Sequence, residues 1–172
     1  MKNLVQKLKK THSKSEVIKL AQKKNKSLKA IDGSPRRRLL AFVESMNGDV
    51  KYLTSDCLCE TVKVNKDETF TIYLPTDSSE ERDNFTIAHE LGHILLHRRE
   101  RPKGQEVRFT RRGSNRMEWE ANWFAAEFLM PREEVERAFQ KDGLSLSQLA
   151  AKFGVSQMAA RVRLESLELI EP

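Results

Sequence analysis

The segment "NFTIAHELGHILLH", residues 84–97, constrains the fold more than any other part of the chain. Drawn as a helix, it has apolar side chains in nearly every direction. They are Phe85, Ile87, Ala88, Leu91, Ile94, Leu95 and Leu96. The one remaining sector holds His89, Glu90, His93 and His97. Such a helix has to be buried, so the rest of the chain must surround it and provide partners for its ionisable groups.

The first two histidines of this sector have the spacing of a metal site, because "HELGH" fits the pattern H-E-x-x-H. Positions i and i+4 of a helix point the same way, so both imidazoles can reach one ion. Glu90 lies about 100° round the helix from His89 and can act as a general base on a water molecule that the metal activates. We predict a zinc site with His89 and His93 as ligands and Glu90 as the catalytic base. The alternative, a pair of hydrogen-bonded core histidines, does not explain why a glutamate shares their sector.

A catalytic zinc ion needs a third protein ligand. His97 lies two turns beyond His89, about 12 Å along the helix axis, which is too far to share one ion. A carboxylate of the predicted helix "MEWEANWFAAEFL" is the better source. Glu118 lies within about 60° of the centre of that helix's apolar stripe, whereas Glu120 lies about 100° away. Glu118 is therefore the predicted third ligand, in a gluzincin-like arrangement, and Glu120 is the alternative.

Two other residues of the same helix receive predictions. Asn122 follows Glu118 by one turn and is expected to hold a ligand in place from behind. Glu127 is expected to be a surface charge, as is Glu120 if it is not the ligand. The donor that stabilises the oxyanion of a peptidase reaction stays open between Tyr73 and an arginine of residues 98–116.

Three motifs follow one another in this chain: "FTIAHELGHILLH", "EWEANWFAAEFLMP" and "LAAKFGVSQMAARVRLESLEL". In this order they resemble the ImmA/IrrE family of zinc metallopeptidases, over about residues 70–170. The resemblance implies His89 and His93 as zinc ligands, Glu90 as base, and a glutamate of the second motif, best matched by Glu118, as third ligand. Some members, bacterial or phage-borne, cleave helix-turn-helix repressors and so switch on stress or mobile-element genes. A protein substrate of that kind is thus the implied partner.

The remaining patterns predict an α+β fold, with helices before and after one small antiparallel sheet. "SPRRRLLAFVESMNG" predicts a helix capped by Ser34, and "VKYLT", "CETVKV" and "TFTIYLP" predict strands. Ser78, three residues before Glu81, predicts a capping box for the site helix. Residues 100–115 are expected to be an irregular connection.

We predict three parts: a weakly packed, lysine-rich N-terminal helical arm (1–33), a zincin-like metallopeptidase core (34–142) and a helix-turn-helix-like subdomain (143–172). In the last part Gly154 marks the turn and Ser156 caps the second helix. This subdomain either packs on the core or contacts DNA. The side chains that would meet DNA are Gln157, Met158, Arg161 and Arg163.

Composition narrows the class of protein. The chain has 172 residues, a net charge of +6 and a pI near 9.4, so nucleic-acid contact through basic surfaces is possible in principle. It has no apolar run near the ~18 residues of a membrane span and no apolar segment behind its basic start, so a cytoplasmic protein is expected. Cys57 and Cys59 are too few for a structural zinc site and are expected to be reduced thiols.

Two functions are consistent with these features. The first is a zinc-dependent metalloendopeptidase that performs limited regulatory proteolysis of a DNA-binding repressor or similar partner. The second is a DNA- or partner-binding regulator, such as a component of a toxin and antitoxin pair, whose metal site is structural or vestigial. Glu90 favours the first, because a structural site does not need a general base.

Overall fold

The computed structural model describes residues 11–54, 61–97, 107–109 and 115–171, and helices dominate it. Its elements are α1 (Lys14–Lys29), α2 (Pro35–Ser45), β1 (Gly48–Leu53), β2 (Val62–Val64), β3 (Phe70–Pro75), α3 (Glu80–His97), β4 (Val107–Phe109), α4 (Asn115–Leu129), α5 (Arg132–Glu136), a π-helical turn (Arg137–Lys141), α6 (Leu146–Phe153) and α7 (Gln157–Ser166). Helices thus surround one small sheet, and the predicted α+β class is confirmed. Cys57 and Cys59 lie outside the described residues.

The sheet has the strand order β1-β3-β2-β4 and is mixed. Strands β2 and β3 form the predicted antiparallel hairpin, and β2 also pairs antiparallel with β4. Strand β1 runs parallel to β3, so the prediction of a wholly antiparallel sheet is wrong in this respect. Since β1 leads into β2 and not into β3, the hairpin rule does not fix its direction. Residues 107–109 also form a strand within the segment predicted to be irregular.

The parallel pairing of β1 places Gly48 directly opposite Phe70. A Cβ at Gly48 would lie only 2.2 Å from the Phe70 ring, so a larger residue there would displace the ring from the core. Asn47, just before Gly48, has a φ of 60°, and this left-handed conformation prevents α2 from continuing. The predicted stop at Asn47-Gly48 is therefore where the chain turns from helix into sheet.

Serine side chains cap five of the described helices: α1, α2, α3, α6 and α7. The predicted cap of α2 is confirmed, since the Ser34 hydroxyl accepts a hydrogen bond from the Arg37 backbone N–H at 3.3 Å. The predicted capping box of α3 is wrong by one residue: Ser79, not Ser78, accepts from the Arg82 N–H at 3.4 Å. Ser79 directly precedes the first helical residue, Glu80, and so occupies the N-cap position, whose side chain accepts from a backbone N–H of the first turn.

Helix α1 packs against α4, and Val17 and Ala21 are completely buried there. The Asn25 side chain donates a hydrogen bond of 2.7 Å to the Phe128 carbonyl. Residues 14–29 are therefore not weakly packed, contrary to the prediction, because their apolar side chains complete the core on the outer side of α4. The division of the chain into three parts stays a prediction.

Helices α6 and α7 are joined by a turn at Gly154, whose φ of 65° suits glycine, as predicted. Arg163 of α7 is buried, donates to the Met130 carbonyl at 3.0 Å and forms an ion pair with Glu127 of α4. Two predictions are therefore wrong: Glu127 is not a surface charge, and Arg163 does not face outward to meet DNA. No helix within the described ranges combines the length and apolarity needed to cross a membrane.

Candidate metal centre

The two helices that carry the predicted ligands, α3 and α4, touch backbone to backbone. A Cβ at Gly92 would lie 3.0 Å from the Ala121 Cα and 3.2 Å from its carbonyl oxygen. Contacts this close need glycine on one helix and a small residue on the other. The close approach lets side chains on facing turns of α3 and α4 meet.

His89, His93 and Glu118 converge at this helix pair. The Nε2 atoms of the two histidines are 3.0 Å apart, and each lies 3.2 Å from a Glu118 carboxylate oxygen. Ligands at zinc bond lengths of about 2.0–2.2 Å in tetrahedral geometry are separated by about 3.3 Å. Two imidazoles and one carboxylate at this spacing fit a zinc ion. The structure thus brings the three predicted ligands together, and their role as ligands stays a prediction.

Asn122 lies behind His89, on the side away from Glu118. Its Oδ1 is 2.9 Å from Nδ1 of His89, and since an amide oxygen only accepts, Nδ1 carries the proton. In the neutral ring the lone pair is then on Nε2, the atom that faces His93 and Glu118. This contact gives Asn122 the geometry of a residue that orients a metal ligand.

His93 is buried in a setting that favours its neutral form. Burial is the main cause that lowers the pKa of His93 to about 3, with smaller effects from His89 and His97. A neutral imidazole keeps the lone pair that a metal ion needs. His93 is thus set up as a ligand across the whole physiological pH range.

Glu90 is 4% exposed, on the turn of α3 between the two histidines. Its carboxylate is shielded from bulk water, and its position in the chain directly after His89 is the one that the H-E-x-x-H pattern gives to a general base. Of the predicted oxyanion donors, Tyr73 lies on β3 and Arg108 on β4, and the arginines at 98, 99, 101, 111 and 112 lie outside the described residues. The Arg116 side chain donates hydrogen bonds to Glu120 and to the His12 carbonyl, so it does not point at the predicted ligands.

Glu120 is 1% exposed, so its prediction as a surface charge is wrong. One carboxylate oxygen accepts from Arg116 Nε at 2.8 Å and from the His12 backbone N–H at 3.0 Å. The other oxygen is 3.9 Å from His97 Nε2. The alternative ligand therefore lies in a separate group with His12 and His97, and a neighbouring arginine balances its charge.

Sequence reasoning missed three features of this site. The contact between Gly92 and Ala121 could have been found, because two small residues stand within the two motifs. The contacts of Glu120 with Arg116 and His12 could not, because His12 lies 108 residues away in sequence. The third feature is that α4 has two buried faces: the prediction from its helical periodicity allowed for one, whereas α4 packs against α3 and also against α1.

Comparison with known proteins agrees with this geometry. The profile of a peptidase family described as "IrrE N-terminal-like domain" matches residues 41–165, well over half of the chain. The matched span contains α3, α4 and every residue of the predicted site. Among curated proteins no match was found.

A solved structure with this fold is among several that match. It is a Mycobacterium tuberculosis transcriptional regulator, 16% identical in sequence, with a TM-score of 0.61. The alignment covers 88% of this chain and 46% of that one, so the chain spans less than half of its length. At this identity the likeness concerns the fold alone.

Proposed function

Because this chain belongs to the IrrE N-terminal-like peptidase family, we propose that it is a zinc-dependent metalloendopeptidase that performs limited regulatory proteolysis in the cytoplasm. The observation that carries the proposal is the spacing of His89, His93 and Glu118, at 3.0–3.2 Å between facing ligand atoms. The proposed substrate is a DNA-binding repressor of the helix-turn-helix class, as the family resemblance implies.

The side chains divide the chemistry among them. Zinc, when bound, acidifies water and polarises the scissile carbonyl. The Glu90 carboxylate accepts a proton from the attacking water and passes it to the leaving amine. His89, His93 and Glu118 hold the ion, and Asn122 fixes the tautomer of His89. The buried position of Glu90 keeps this proton transfer away from bulk solvent.

The second function, a DNA- or partner-binding regulator with a structural metal, has weaker support. Of the side chains that would read DNA, Arg163 is buried against Glu127, and Arg161 pairs with Glu165 at 2.8 Å. Only Gln157 and Met158 stay exposed and without an ion pair among the described residues. A structural site would also leave the burial of Glu90 beside the ligands without a purpose.

Incubation of the zinc-loaded protein with the repressor encoded by a neighbouring gene tests the proposal. We expect a discrete cleavage, seen as a defined pair of fragments by mass spectrometry, that a chelator abolishes and added zinc restores. Glu90→Gln should bind zinc normally and lose at least about a hundredfold in rate, since it removes the general base. Cleavage that persisted in this variant would contradict the mechanism, and failure of the wild type to cleave would favour the regulator.

A further inference from the structure

A groove of 610 Å³ lies between α1, α3, α4 and α7. We call it the apolar groove; its main apolar walls are Ile18, Phe85, Trp123, Met158 and Val162. This volume is typical of ligand-binding sites and is large enough for several amino-acid side chains. It is distinct from the three predicted zinc ligands, none of which lines it.

Two side chains of α7 give this groove an unusually apolar exposed wall. Met158 is 68% exposed and Val162, one turn on, is 54% exposed. They are two of the four large apolar side chains exposed within the described ranges, the others being Tyr52 and Trp119. Exposed apolar surface concentrated in a concave place is typical of a binding site and not of a solvated helix face.

Positive charges predominate around the groove. Four cations line it, Lys14, Arg82, Arg132 and Arg163, and one carboxylate, Glu127. Glu127 is neutralised by Arg163, and Arg132 pairs with Glu136 at 3.1 Å. Neither Lys14 nor Arg82 has a carboxylate within ion-pair distance in the part of the chain that the structure describes. An occupant with acidic groups beside its apolar residues would therefore complement the groove.

The groove and the predicted zinc site share one residue, Asn122. This residue lines the groove and also holds Nδ1 of His89 at 2.9 Å. Thr86 and Phe85, on the turn of α3 before His89, form the adjoining wall. A polypeptide in the groove would therefore contact the residue that holds a predicted zinc ligand in place.

We propose that the apolar groove binds the substrate on one side of its cleaved bond, and that it selects a segment of apolar residues flanked by aspartate or glutamate. The inference rests on the proposed function and names its substrate class. The chain's own first ten residues suit the groove poorly, since they carry four lysines and no acid. A second copy of the chain is the other occupant to be tested.

Peptide binding tests the groove without any cleavage. The probes are fluorescein-labelled peptides with leucines flanked by glutamates, the same peptides with lysines as flanks, and the same with serines in place of the leucines. Fluorescence anisotropy measures their binding to Glu90→Gln, which keeps them intact. We expect only the acidic, leucine-containing peptide to bind well, with the others weaker by about tenfold or more.

Two substitutions on α7 place the binding in the groove. Met158→Asp and Val162→Asp should each weaken binding of that peptide by about tenfold, since they remove apolar contact and repel the acidic flanks. Gln157→Asp is the matched control, because Gln157 is exposed on the same helix but does not line the groove. It should bind like the parent protein.

The outcomes are distinct. Equal binding by Val162→Asp and Gln157→Asp, or equal binding of the serine peptide, would overturn the groove proposal. A dimer seen by light scattering that Val162→Asp converts to monomer would show that a second copy occupies the groove, which also overturns it. Groove-dependent binding with no cleavage of the repressor by the zinc-loaded wild type would leave the groove in place and refute the peptidase function.

Discussion

Gly92 of α3 and Ala121 of α4 are in backbone contact, and this contact sets the distance between the two helices that carry the predicted zinc ligands. A Cβ at Gly92 would approach the Ala121 Cα to 3.0 Å. The residue before His93 thus contributes to the site without touching it. Nε2 of His93 and a carboxylate oxygen of Glu118 can lie 3.2 Å apart because the two helices pack closely at Gly92 and Ala121.

Gly92→Val should separate α3 from α4. The added bulk meets backbone, which cannot rotate away, so we expect about 1–3 kcal/mol lower stability and weaker zinc binding. Urea unfolding measures the first, and zinc titration against a competing chelator measures the second. Ala151→Val, on the exposed side of α6, is the control and should leave zinc affinity unchanged. Unchanged zinc affinity in Gly92→Val would show that the helix spacing does not govern the site.

Glu118→Gln should lower zinc affinity, whereas Glu120→Gln should lower stability instead. Glu118→Gln removes the charged carboxylate of a predicted ligand. Its zinc affinity should therefore fall by more than the roughly ten- to hundredfold expected when a residue that only supports a ligand is lost. Glu120→Gln should keep zinc affinity but lower stability by about 1–3 kcal/mol, because Arg116 loses its buried anion. Zinc titration and urea unfolding of both variants separate the roles. The reverse pattern would make Glu120 the third ligand.

Asn122→Leu should weaken zinc binding by about ten- to hundredfold, since His89 Nδ1 loses its acceptor and its tautomer is no longer fixed. Asn122→Asp keeps an acceptor oxygen at the same position and should retain most of the affinity. Competitive zinc titration compares the two. If both variants matched the wild type, Asn122 would have no orienting role.

Arg163 and Glu127 form a buried ion pair between α7 and α4. Arg163→Met alone should cost about 3–5 kcal/mol of stability because it leaves Glu127 buried and unpaired, whereas Arg163→Met with Glu127→Leu should be close to neutral. Chemical unfolding of the two variants and the wild type gives the comparison. A single variant as stable as the double one would show that the hydrogen bond that Glu127 already accepts from Gln22, at 3.0 Å, is enough to stabilise the buried carboxylate.

Acid should destabilise the metal-free protein well before its carboxylates titrate. Burial lowers the pKa of His93 from 6.5 to about 3, and burial, opposed by Glu120, lowers the pKa of His97. Below pH 6.5 the unfolded His93 binds a proton that the folded His93 does not, so its contribution to stability is full above that pH and is lost progressively down to about pH 3. Urea unfolding at stepped pH measures the slope. His93→Gln should flatten it, and an equally steep slope in that variant would contradict the assignment.

The sequence was enough to predict the parts of the site that depend on one helix at a time. The i, i+4 spacing puts His89 and His93 on the same face of α3. The helical periodicity of α4 puts Glu118 on its inward-facing side. Predictions failed where a distant segment supplies the partner. Glu120 and Glu127 are buried because α1, Arg116 and Arg163 cover them, and α4 alone gives no sign of that. Likewise, the alternation of β1 predicted a strand but not that it would run parallel to β3.

Anomalous diffraction at the zinc edge, from crystals of the zinc-loaded protein, tests the central claim most directly. The account predicts one strong peak about 2.0–2.2 Å from Nε2 of His89, Nε2 of His93 and a carboxylate oxygen of Glu118. A peak bound by Glu120 and His97 instead, or no ordered zinc between the two histidines, would contradict it.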